Sequence, residues 1–200
     1  MKNPVYGIYI YNHVAELDCV GPHSVFALSN IIDNRTPNVV LISEMTDPIT
    51  GIGGMKITPD ATFDDHPDLD VLLLPGTADV ADHALKNKRA LPWIKAQAEK
   101  VTFLTAVCTG GLILQKAGLL KGKKATTHWM ETDLMAEDPD TTVIPDVRYV
   151  RDGNIVTSQG VSAGIDMALW LVGQLHSPEH ARQVRKIMQY DPAPPYTADV

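Results

Sequence analysis

The stretch Val101-Thr102-Phe103-Leu104-Thr105-Ala106-Val107-Cys108-Thr109-Gly110-Gly111-Leu112-Ile113-Leu114-Gln115-Lys116-Ala117-Gly118 decides the reading of the fold. An apolar, β-branched run over Val101 to Thr105 leads into Cys108, and a helical pattern with Leu112, Ile113, Leu114 and Ala117 follows until Gly118. The order is strand, sharp turn, helix. A nucleophile at such an elbow is pushed out of the sheet in a strained backbone conformation, so the residues two before and two after it must be small. Ala106 and Gly110 meet that demand, by the logic of the G-x-S-x-G turn of serine hydrolases. The helix starting after Cys108 aims unpaired N–H groups and the positive end of its dipole at the sulfur, which favours thiolate over thiol. The stretch therefore predicts a reactive Cys108 of depressed pKa. The alternative is a structural cysteine buried at a strand end, because free Cys is among the most buried residue types.

Outward from the elbow, short apolar runs alternate with helical patterns. Val5 to Tyr11 is predicted as a buried strand, followed by a loop over Asn12 to Val20 and a helix beginning near Gly21-Pro22, where proline suits the first helical turn. Asn38 to Ser43 and Asp70 to Leu74 read as further strands, the second stopped by Pro75-Gly76. Between them, Gly51-Ile52-Gly53-Gly54 with Met55 to Thr58 reads as a hairpin or bulged excursion. Leu91, Ile94 and Ala98 form a helical stripe, and a strand near Ala125-Thr126-Thr127 precedes a helical pattern from Trp129 to Met135. Asp152-Gly153 between Arg148–Val150 and Ile155–Ser158 is a strong hairpin signal. Ala163 to Leu175 reads as a buried helix, and Ser177-Pro178 caps a further helix over Ala181 to Tyr190. The tail Asp191 to Val200 carries three prolines and is expected to be extended. Such alternation predicts an α/β sandwich with a mostly parallel sheet.

Two hundred residues that are 44% hydrophobic suffice for one substantial core, so residues 1–200 are expected to form a single domain. A formal charge of −7, with 17 Lys and Arg scattered along the chain, argues against a nucleic-acid footprint. Two cysteines, Cys19 and Cys108, are too few for a secreted disulfide framework. With neither a signal-like start nor an apolar run of membrane-spanning length, a cytoplasmic protein without membrane attachment is expected.

In open α/β sheets ligands bind beyond the carboxyl ends of the strands, which singles out three segments: Glu16-Leu17-Asp18-Cys19-Val20-Gly21-Pro22, Pro75-Gly76-Thr77 and Cys108-Thr109. The Gly76 and Thr109 N–H groups are expected to form an anion-stabilising pair beside the sulfur. Asp18 is the carboxylate best placed for proton transfer, with a helix N-cap near Pro22 as its structural alternative.

The segments Leu17-Asp18-x-x-Gly21-Pro22-His23, Val107-Cys108-Thr109-Gly110, Gly118-Leu119-Leu120-x-Gly122-Lys123-x-Ala125-Thr126-Thr127-His128-Trp129, Arg151-Asp152-Gly153-Asn154, Ala163-Gly164-Ile165-Asp166 and Tyr190-x-Pro192-Ala193-Pro194-Pro195 together resemble the ThiJ/PfpI superfamily, and within it the isocyanide (isonitrile) hydratases. The resemblance runs from the first strand to the proline-rich tail. It implies a flavodoxin-like three-layer sandwich, a homodimer, no cofactor, and hydration of R–N≡C to an N-substituted formamide. Cys108 is then the nucleophile, Asp18 the general acid and base, and Thr109 a hydrogen-bond donor to sulfur or intermediate. Gly76, Thr77, His128, Trp129 and Gly160 are the expected substrate-binding residues.

Peptidase-like members of the superfamily carry His directly after the nucleophile, where this chain has Thr109. Many members carry Glu in place of Asp18, and the shorter acid resembles the hydratases. The family commonly has a second glycine after Pro75-Gly76, so Thr77 predicts a narrower pocket. His128 and Trp129 also suit a hydrogen-bonded structural histidine and a packing residue; Cys19, Met130 and Met135 suit packing. Asp166 is expected to satisfy backbone groups near the site. His13, His66, His83, His176 and His180 show no metal-ligand spacing along the chain, so no metal is expected.

Three rival functions use the same residues. A redox or stress sensor would need only an oxidisable Cys108. A glyoxalase or deglycase would run a different reaction on the same nucleophile. The Ala125 to Trp129 motif is also similar to the sensor domains of AraC-type transcription regulators, which continue into a basic helix-turn-helix domain absent from these 200 residues.

Overall fold

β1 (Tyr6–Tyr9) lies inside a seven-stranded sheet in the computed structural model, which describes residues 3–80 and 85–192. The chain continues through α1 (Glu16–Ile32), β2 (Val39–Ser43), β3 (Ile49–Thr50), β4 (Lys56–Ile57), β5 (Ala61–Thr62), β6 (Val71–Leu74) and α2 (Ala90–Ala98). The elbow elements β7 (Phe103–Val107) and α3 (Gly110–Lys116) follow, then β8 (Lys123–Ala125), α4 (Thr132–Ala136) and β9 (Thr141–Val143). The hairpin β10 (Tyr149–Asp152) and β11 (Ile155–Ser158), and the helices α5 (Ala163–Leu175) and α6 (Pro178–Ile187), complete the order.

The sheet runs β10-β11-β7-β6-β1-β2-β5, and every neighbouring pair is parallel except the β10–β11 hairpin. The central strand β6 reads Val71-Leu72-Leu73-Leu74 and is buried on both faces, as an apolar run between two helical layers must be. The alternation of β1 shows the two faces: the Tyr6 ring stacks on Phe26 of α1 at 4.1 Å, while Tyr9 faces Trp93 of α2 at 5.9 Å. This is the flavodoxin-like arrangement, a mostly parallel sheet with helices on both sides. The glycine-rich excursion forms the antiparallel β3–β4 hairpin, and β8 pairs with β9 in a separate two-stranded sheet.

Two local expectations are corrected. The first helix begins at Glu16 and carries Pro22 in its interior. Proline removes one intrahelical hydrogen bond there. The site is instead selected by packing: a Cβ on Gly21 would lie 3.0 Å from Ile165 Cγ1, and one on Gly164 3.4 Å from Pro22 Cγ, so α1 and α5 cross on small residues. The pattern over Trp129 to Met135 forms a 3₁₀ turn (Trp129–Glu131) followed by the short α4. Ser177 caps α6 as expected, its hydroxyl accepting the His180 N–H at 3.1 Å. The tail beyond Pro192 lies outside the described residues. Among the described residues, no helix is long and apolar enough to cross a membrane.

Candidate active site

The strand order reverses between β1 and β6, since β1 leads through α1 to β2 on one side while β6 lies on the other. The segments leaving these two strands stay together: Val14 and Thr77 form an isolated antiparallel bridge, and the Ala15 N–H donates to Gly76 O at 2.8 Å. β7 and β11 deliver Cys108 and Val161 to the same edge of the sheet, which is where an open α/β sheet binds ligands.

Cys108 is 7% exposed, with φ +58, the left-handed region that costs an L-residue roughly 1–2 kcal/mol. Its backbone is held from both sides. The N–H faces the Ser158 and Gln159 carbonyls at 3.2 and 3.3 Å, and its carbonyl accepts the Thr127 hydroxyl at 2.9 Å. Gly110 must be glycine, because a Cβ there would lie 2.1 Å from the Leu74 carbonyl oxygen. Strand, sharp turn and helix therefore follow one another in the order the sequence predicts.

Asp18 is the third residue of α1 and fully buried, and it does not cap the helix; Ala15 holds the cap position without a side-chain bond. Its Oδ2 accepts the Gly76 N–H at 2.9 Å. Oδ1 is buried without a fully formed hydrogen bond, and the Cys108 thiol and the Val161 N–H beside the carboxyl both favour its ionised form. Burial outweighs them and pushes the Asp18 pKa up to about 6. The Cys108 thiol is pushed up to about 12, first by burial and then by the Asp18 charge, against the Thr109 and Val161 N–H groups that favour the thiolate. Burial and the facing carboxylate act against the depressed cysteine pKa expected from the helix terminus. A seven-residue helix cannot offset desolvation plus a buried carboxylate. Both directions favour a thiol beside a carboxylate as the resting pair.

The expected amide pair is also corrected. The Gly76 N–H is committed to Asp18, so the groups facing the sulfur are Thr109 N–H and Val161 N–H. The Thr109 hydroxyl does not reach the sulfur either: it donates to Thr77 O at 2.7 Å and accepts from Thr77 N–H at 2.8 Å. Gly76 permits this proximity, since a Cβ there would lie 2.5 Å from Thr109 Oγ1. Val161, missed in the sequence, has φ +52, unusual for a β-branched residue. A valine after a glycine carries no sequence signal for that conformation.

A cavity of about 320 Å³ opens over the sulfur, lined among others by Ile52, Thr77, Cys108, His128, Met130 and Val161. Thr77 is in the wall as expected, with its buried hydroxyl unpartnered. His128 is in the wall too, and its Nδ1 accepts the Met130 N–H at 3.3 Å, so the proton of a neutral ring sits on Nε2. Gly160 acts behind it: a Cβ there would lie 2.2 Å from His128 Cδ2, so the glycine makes room for the ring. Trp129 is 68% exposed and outside the lining, while Met130, expected in the core, is in the wall. Glu16 holds the Ile52 wall in place by accepting the Gly53 N–H at 2.6 Å.

Other expected residues stand apart. Cys19 is buried and donates to Glu16 O at 3.0 Å. Asp166 pairs with Arg148 rather than with backbone groups, at the edge of a separate surface groove of about 430 Å³. The expectation of no metal-ligand spacing is corrected: His176 and His180, with three residues between them, form an H-x-x-x-H pair, and the fold brings Asp33 to them at a place remote in sequence from Cys108.

Compared with known proteins, the chain is 40% identical over 191 residues to the isonitrile hydratase of Pseudomonas putida, covering 95% of this chain and 80% of that protein. It is 31% identical over 138 residues to the HTH-type transcriptional regulator GbdR of Pseudomonas aeruginosa, covering 69% of this chain and 37% of the regulator. The crystal structure of a ThiJ/PfpI family protein from Pseudomonas syringae superposes with TM-score 0.88 at 34% identity, over all of this chain and 80% of that one. The family model for DJ-1/PfpI matches residues 7–174, the span that holds the elbow, the buried acid and the cavity wall, and the chain belongs to the DJ-1/PfpI family.

Proposed function

We propose that this protein hydrates a small isocyanide to an N-substituted formamide. The observation that carries the reading is the pairing of Cys108 with the fully buried Asp18 beneath a largely apolar cavity, in a chain 40% identical to an isonitrile hydratase. An isocyanide is a compact, uncharged group without a hydrogen-bond donor, and its hydration needs a nucleophile and one mobile proton.

The chemistry follows from the thiol–carboxylate pair. Asp18 takes the thiol proton as sulfur bonds to the terminal carbon, and returns that proton to the same carbon, giving the thioimidate R–N=CH–S–Cys108. Ionised again, Asp18 takes a proton from water as its oxygen adds to the carbon, and passes that proton to nitrogen. The carbonyl then forms, the C–S bond breaks, and the hydroxyl proton passes through Asp18 to the departing sulfur. The net change is R–NC plus water to R–NH–CHO. The Thr109 and Val161 N–H groups steady sulfur while it carries charge.

A redox sensor would need only an oxidisable Cys108 and gives the fully buried Asp18 beside it no proton to move. The deciding experiment is turnover of purified protein against a panel of isocyanides and 2-oxoaldehydes. Formamide production that is lost in Cys108→Ser supports the reading, and turnover of oxoaldehydes alone overturns it in favour of a glyoxalase or deglycase.

A further inference from the structure

We propose that Asp33, His176 and His180 form a binding site for a divalent transition-metal ion of zinc-like chemistry, which ties three helix ends together far from Cys108. One ligand atom from each residue lies within 4.8 Å of the other two. Asp33 is the C-cap of α1, His176 the C-cap of α5, and His180 stands in the first turn of α6. At about 1.5 Å per residue, Asp33 lies roughly 22 Å along α1 from Asp18.

The local chemistry calls for a cation. His180, 9% exposed, directs Nε2 at the Ser29 carbonyl (3.0 Å) and hydroxyl (2.9 Å). Against a carbonyl that nitrogen must donate, so in the neutral ring the lone pair sits on Nδ1. Nδ1 is 3.6 Å from Asp33 Oδ1, so two electron-rich atoms face each other. Two ligands of a tetrahedral ion with bonds of about 2.0–2.1 Å stand at nearly that spacing. The Ser29 carbonyl supplies the outer hydrogen bond that orients a metal-bound histidine. The His176 ring centroid lies 4.8 Å from that of His180, and its Nε2 is 3.4 Å from the Tyr6 hydroxyl.

The helix ends add a second argument. The negative dipole ends of α1 and α5 meet here against the single positive end of α6, yet neither α1 nor α5 has a basic residue in its last turn and a carboxylate caps one of them. Arg35 offsets part of this charge, holding Asp33 Oδ2 at 3.7 Å and leaving Oδ1 to face His180 Nδ1. One carboxylate oxygen and two imidazoles select zinc, nickel or cobalt over magnesium, with a fourth position open to water. The rival arrangement is a plain ion pair between protonated His180 and Asp33, which binds no metal.

The test titrates metal-free full-length protein with Zn²⁺, Co²⁺ and Mg²⁺, following calorimetric binding, the Co²⁺ visible spectrum and the thermal midpoint. Asp33→Asn and His176→Gln change groups that are not fully buried, and circular dichroism checks that both variants fold. One Zn²⁺ per chain is expected, also in Cys108→Ser, with a midpoint rise of about 5–10 °C at a hundredfold excess over Kd. Affinity should fall at least about tenfold in each ligand variant, Mg²⁺ should have no effect, and bound Co²⁺ should lack a thiolate charge-transfer band. Failure to bind Zn²⁺, unchanged affinity in both ligand variants, or a thiolate band would overturn the site.

Discussion

The Gly76 amide donates to Asp18 Oδ2 at 2.9 Å, joining the segment after β6 to the first turn of α1 across the point where the strand order reverses. This bond holds a buried carboxyl that burial has pushed up to about 6, and it leaves the other oxygen for Cys108 and Val161. Several consequences can be measured.

Asp18→Asn should lose turnover by about 10²- to 10⁴-fold, the usual contribution of a general acid–base group. Stability should move the other way. A carboxyl whose folded pKa is raised favours folding fully below its unfolded value near 3.8, and that contribution disappears as pH rises through about 6. Above pH 6 the variant should therefore be more stable than wild type by up to about 3 kcal/mol, with the gap closing below about pH 4. Denaturant melts at both pH values decide this; a variant less stable at pH 8 would mean that Asp18 is mainly structural.

The pH dependence of kcat/KM should rise through about 6 and then stay flat through the alkaline range. Below that value Asp18 carries a proton and cannot take another from Cys108. An alkaline loss near pH 8 to 9 would contradict a thiol pushed up to about 12.

Alkylation of Cys108 by iodoacetamide should climb with pH without levelling off below about 9, because the reactive thiolate is scarce. Mass spectrometry of the modified peptide separates it from Cys19. A rate plateau already reached at pH 7 would restore the low-pKa thiolate.

Gly110→Ala and Gly160→Ala should differ in kind. The first sets a methyl 2.1 Å from the Leu74 carbonyl oxygen, fixed in the sheet, and should destabilise by about 1–3 kcal/mol or more. The second meets the edge of the His128 ring, which can turn aside, so stability should change little while the cavity wall is lost and KM rises. Thermal melts and steady-state kinetics on both variants check the contrast.

The homodimer implied by the family resemblance should sediment at twice the 21.8 kDa chain mass at micromolar concentration. Leu17 and Val20, apolar and exposed on the first turns of α1, are the contact residues to test. Leu17→Glu should then dissociate the dimer, and a monomeric wild type would remove the proposal.

Local signals in the sequence determined most of the fold. The elbow at Cys108, the hairpin over Asp152-Gly153, the Ser177 cap and the span Ala163–Leu175 each depend on residues within one or two turns of each other, and each formed as read. Tertiary structure decided what depends on distant partners. Pro22 marks a helix start by local preference, yet α1 begins at Glu16 because Gly21 and Pro22 are packed against α5. The two-residue strand β5 has too little pattern to be seen and exists by pairing with β2. Asp18 reads as a cap or a catalyst with equal ease in the sequence, and only the fold shows that Ala15 takes the cap position and that Gly76, 58 residues away, holds the Asp18 carboxyl. The environment of Cys108 was likewise beyond local reading: the helix terminus is visible in sequence, but the burial and the facing carboxylate that oppose it are created only when the chain folds.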